Sequence, residues 1–99
     1  MTDLQRDRRA NDKLTQLLRQ KCSEQSLRVM RIRWGLFDVS VEVELQLDLP
    51  GGSFRKLGTL VVFLDPQLGF SRPMSCLEDK VVDAVAQAFD CDKLRQLLR

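Results

Sequence analysis

Val39-Ser40-Val41-Glu42-Val43-Glu44-Leu45-Gln46-Leu47-Asp48-Leu49 alternates apolar and polar side chains without a break. A period of two places the valines and leucines on one face of a strand and Ser40, Glu42, Glu44, Gln46 and Asp48 on the other. One dry face and one wet face define a half-buried strand of an antiparallel sheet. The Pro50-Gly51-Gly52-Ser53 sequence that follows predicts a turn.

Working back from this strand, Met30, Ile32 and Trp34 alternate with Arg31 and Arg33, a strand with a basic outer face, and Gly35 to Asp38 reads as the hairpin connection. Working forward, Leu57 to Leu64 is apolar on both sides. It is therefore expected in the middle of the sheet or covered twice. Asp65-Pro66 ends it, and a short edge strand is expected near Phe70 to Met74. Ser75-Cys76-Leu77-Glu78 matches a capping box and opens a helix whose apolar stripe runs through Leu77, Val81, Ala84, Val85, Ala88 and Phe89. Asp90 or Asp92 breaks or recaps it before a last amphipathic segment with Leu94, Leu97 and Leu98.

Residues 2–25 contain neither Gly nor Pro and are rich in helix formers. Leu14, Leu17, Leu18 and Cys22 share one stripe, while the first turns are almost wholly polar. This predicts a helix that buries little of itself in its own domain: a dimerisation or coiled-coil arm over residues 1–26, ahead of a globular unit over residues 27–99. Leu4, Leu14, Leu17 and Leu18 are its candidate partner-binding residues. The expected fold class is α+β: an N-terminal helix, a three- to four-stranded antiparallel meander sheet, and a broken C-terminal helix packed on one sheet face.

The chain has 99 residues, enough for one small domain. No apolar run approaches the roughly 20 residues that span a bilayer, and the charged amino terminus predicts no secretory signal. The expected location is intracellular, nuclear or cytoplasmic. Cys22, Cys76 and Cys91 are odd in number and widely spaced, which argues against a disulfide framework and for reduced, buried thiols.

Histidine is absent, which removes the usual general base near neutral pH and every Ser–His–Asp or Cys–His arrangement. Glu42 and Glu44 share one solvated strand face rather than flanking a cleft, and no glycine-rich phosphate loop exists. The sequence therefore predicts no enzyme, cofactor, metal or small-molecule substrate. Binding remains. Residues 1–33 carry nine basic side chains against four acidic, and the rest seven against ten. Arg6, Arg8, Arg9, Lys13, Arg31 and Arg33 are candidate contacts to an anion or nucleic acid. Interleaved Asp3, Asp7 and Asp12, and the lack of stacking aromatics, favour a solvated charged face over a nucleic-acid site.

Two family resemblances follow from these segments. The helix feeding the strand Leu27–Trp34, the long strand ending in Gln46-Leu47-Asp48-Leu49-Pro50, the apolar third strand, Ser75-Cys76 and the broken helix through Phe89 to Arg99 together resemble the RWD-type heads of coiled-coil kinetochore and chromosome-segregation scaffolds. That resemblance implies a non-enzymatic head that dimerises, as a homo- or heterodimer, through its helix and docks other scaffold proteins. Leu64-Asp65-Pro66-Gln67-Leu68, followed by Leu77-Glu78-Asp79-Lys80-Val81-Val82-Asp83-Ala84, is similar to the pattern of YbaB-type nucleoid-associated proteins, which implies a homodimeric DNA binder.

Overall fold

The computed structural model describes residues 3–22, 26–35, 40–65 and 79–98, with side chains from Arg8 onward. Helix α1 (Asp3–Lys21) leads into strands β1 (Leu27–Trp34), β2 (Ser40–Asp48) and β3 (Phe54–Phe63). Helices α2 (Asp79–Ala88) and α3 (Cys91–Leu98) close the chain. The sheet is an antiparallel meander in the order β1-β2-β3, and the α+β class stands as the sequence predicts. The hairpin at 36–39, the edge strand near Phe70–Met74 and the capping box Ser75–Glu78 lie outside the described residues.

The alternation of β2 sets the layers. Val41, Val43 and Leu45 are fully buried, each worth about 1.5–3 kcal/mol of apolar transfer. They lie in one core with Leu14 and Leu18 of α1, Val81, Val82 and Val85 of α2, Leu94 of α3, and Phe89 between the last two. All three helices form one layer on this face: α1 against β1 and α2, with α2 and α3 against β3.

Two local irregularities redirect side chains. In β1 the register slips between Val29 and Arg31, so Met30 is an extra residue that is 45% exposed, and it leaves the apolar set to Leu27, Val29, Ile32 and Trp34. Strict alternation wrongly places Met30 with them, because a bulge adds one count to the period. In β3 the slip falls opposite Leu45 and Gln46, beside Gly58, whose φ of 103° is open to glycine alone at little cost. The Pro50–Gly52 turn is a short 3-10 segment, with Gly51 and Gly52 both at positive φ and the Leu49 amide donating to the Ser53 carbonyl at 2.9 Å.

Among the described residues the meander puts β2 between its neighbours and β3 at an edge, where the sequence leads one to expect a central or twice-covered strand. The C-terminal helix is broken as expected. Asp90 recaps it, accepting the Asp92 amide on Oδ1 (2.9 Å) and the Leu94 amide on its carbonyl (3.3 Å).

Helix α1 buries more of itself in its own domain than its thin apolar stripe leads one to expect. Leu14 and Leu18 are 0% exposed and belong to the shared core, and Leu17 packs against it, so the helix is a wall of the domain rather than a free arm. A narrow stripe suffices because only one side of the helix meets the sheet. The expectation of reduced thiols also fails for two of the three cysteines: Cys22 and Cys91, 69 residues apart, form a disulfide with a Cα–Cα distance of 6.3 Å. It ties the residue following α1 to the first residue of α3, a pairing with no local sequence signal.

Candidate interaction surface

The two edges of the sheet differ. At β1, α1 supplies the missing partners from three successive turns of one face. Asn11 donates its side-chain amide to the Met30 carbonyl (3.1 Å), and Arg19 donates Nε to the Leu27 carbonyl (2.6 Å). Between them the Thr15 hydroxyl accepts the buried Val29 amide at 2.9 Å and donates to the Asn11 carbonyl at 2.8 Å. An exposed strand edge is a template for another strand; this edge is occupied by side chains. Sequence reading singles out none of Asn11, Thr15 and Arg19 for this role, since their type alone does not reveal a backbone partner.

At β3, no backbone strand pairs with the outer side among the described residues. Phe54 is 56% exposed, Val61 41% and Phe63 64%, all on large apolar side chains. The register places all three on the outer face: Phe63 opposite Ser40, Val61 opposite Glu42, Phe54 opposite Asp48. An odd separation sets Phe54 and Phe63 on opposite faces of a regular strand; the bulge brings them to the same one. A strand apolar on both sides reads as covered, so the exposure of Val61 and Phe63 is not expected from the sequence, and Phe54 needs the bulge to be known.

The rest of the outer face is ionic. Asp48 accepts on Oδ2 from Arg19 (3.2 Å) and from Arg28 (3.0 Å), and on Oδ1 from Gln46 (3.2 Å), joining α1, β1 and β2. Arg33 pairs with Glu42 across the strands, and Arg31 stands opposite Glu44 in the register. Lys13 reaches Asp83 (3.2 Å) and Asp79 (3.8 Å) on α2. Arg8 and Arg9 are exposed, and Arg8 borders an open groove of about 470 Å3 with Asn11, Asp12, Arg28 and Met30. The side chains of Leu4 and Arg6 lie outside the described residues. The candidate anion contacts are thus scattered over α1 and β1, and Lys13 and Arg33 are engaged by carboxylates.

Among the described residues, no group of three or more His, Cys, Asp or Glu side chains is placed to hold a metal ion, and no helix is long and apolar enough to cross a membrane. No family model, curated protein or solved structure matches this chain.

Proposed function

We propose that this chain is a non-enzymatic protein–protein interaction module that pairs with a second copy of itself along β3. The observation that carries this is the contrast between the edges: α1 side chains occupy the β1 edge at Leu27, Val29 and Met30, while β3 carries Phe54, Val61 and Phe63 in the open. An apolar row beside a strand edge that no described strand pairs is the arrangement used for strand addition. A two-fold axis near Gly58 and Thr59 brings Phe54 of each copy toward Phe63 of the other, so one patch meets itself, as an isologous contact requires. The apolar stripe of α1 is not the contact in this reading, since Leu14 and Leu18 are buried within the domain.

The RWD-type likeness fits a scaffold head of this kind and names chromosome-segregation assemblies as the setting in which to seek further partners. The nucleoid-type alternative has less support, because Lys13 and Arg33 of the basic set are already paired with carboxylates.

Sedimentation equilibrium of the full chain tests the proposal. The wild type is expected to dimerise reversibly, and Phe63→Glu to be a folded monomer whose melting curve no longer shifts with protein concentration. A wild type that stays monomeric at its highest soluble concentration would sink the reading, as would a Phe63→Glu chain that dimerises as before.

A further inference from the structure

We infer that Cys22 and Cys91 are a reversible dithiol–disulfide site, a redox modification site whose co-reactant is a small-molecule disulfide of the glutathione class. Neither cysteine depends on the covalent bond for its place. Cys22 continues the last turn of α1, its amide donating to the Leu18 carbonyl at 2.7 Å. The preceding Lys21 extends Nζ to the Ala86 and Gln87 carbonyls, both at 2.9 Å, and so holds the end of α1 against the end of α2. A cation there also meets the negative end of the α2 dipole. Cys91 is fixed from the other side by Asp90, which caps α3. Two sulfurs 69 residues apart in sequence are therefore brought together by non-covalent contacts, with the cost of closing the intervening chain already met by folding.

Accessibility assigns the order of events. Cys22 is buried and Cys91 is half-buried, so a reagent meets the Cys91 sulfur first. On reduction, an incoming thiolate bonds to that sulfur; the Cys22–Cys91 bond breaks, and its electron pair leaves on Cys22, which takes a proton from water. A second thiolate then bonds to the small-molecule sulfur of the mixed disulfide. Cys91 leaves as a thiolate and is protonated. In total the protein disulfide gains two electrons and two protons, and two small thiols become one disulfide. Oxidation is the same sequence in reverse, with buried Cys22 as the thiolate that resolves the mixed disulfide on Cys91.

The test is a redox titration of the full chain carrying Cys76→Ser, in mixtures of reduced and oxidised glutathione, quenched with acid, alkylated and read by mass. Two species are expected: the dithiol, carrying two alkyl groups, and the internal disulfide, carrying none. The native chain should close at a glutathione ratio on the order of 1000-fold more reducing than the same chain in concentrated guanidinium, the factor that chain closure over this separation implies. Equal native and denatured midpoints would overturn the inference, as would persistent glutathione adducts or disulfide-linked dimers. Should Cys76→Ser fail to fold, the wild type titrated with peptide mapping of each cysteine gives the same readout, with Cys76 expected to remain apart from the pair.

Discussion

Leu18→Ala separates a helix that walls the core from a helix that is a detachable arm. Leu18 is 0% exposed and lies in the cluster shared by the sheet and α2. The change removes three carbons, which at about 0.8 kcal/mol each is about 2.4 kcal/mol of transfer free energy. The cavity left behind adds to this, and buried Leu→Ala changes cost about 2–5 kcal/mol in all. A value of about 3 kcal/mol is a large share of the roughly 5–15 kcal/mol that holds a domain together, and in a domain of this size it lowers Tm by at least about 10 °C. On a solvated arm the same substitution changes stability by no more than about 0.5 kcal/mol. Urea unfolding, followed by the fluorescence of Trp34, the chain's one tryptophan, measures the difference. Gln16→Ala, on the exposed side of the same helix, is the control. Both chains should be compared with the disulfide closed and again with it reduced. A loss below about 0.5 kcal/mol for Leu18→Ala in both states would refute the placement of α1 in the core.

Thr15→Val keeps the shape but removes the oxygen that accepts the buried Val29 amide, so an orphaned donor is expected to cost about 1–3 kcal/mol, with Thr15→Ser costing less; chemical denaturation of the pair checks this. Reduction of Cys22–Cys91 releases a closure of 69 residues, for which the chain-entropy relation gives about 4 kcal/mol; calorimetry with and without a phosphine reductant reads it as a fall in Tm, and an unchanged Tm would count against the disulfide.

The architecture was legible because β2 alternates over its length: Val41, Val43 and Leu45 are buried and Glu44 on the other face is exposed, although Ser40 and Gln46 of that polar set are also buried. The break in the C-terminal helix was legible for a similar reason, since Asp90 interrupts a clear apolar stripe. What failed was everything that depends on a distant partner. Met30 reads as core until the bulge in β1 is known. Nothing in the sequence marks Thr15 and Arg19 as partners of a strand until the edge of β1 is set beside them. Leu14 and Leu18 read as a partner's contact because the sequence shows an apolar stripe without showing what covers it. The candidate surface on β3 was not legible: a strand apolar on both sides reads as covered, and Phe54 joins Val61 and Phe63 only through a shift in register.

The closure of the β1 edge by Asn11, Thr15 and Arg19 also limits how large an assembly can grow. A sheet with two available edges polymerises, each added chain offering a fresh end to the next. Here α1 stoppers one end of every subunit. If two copies join along β3, the open edge of each is used up and the joined sheet ends at the two β1 edges. The helix thereby acts as a chain terminator: it lets an apolar strand edge stay exposed in a small domain without inviting fibres, and substitutions along its polar face should be the ones that convert a discrete complex into an aggregate.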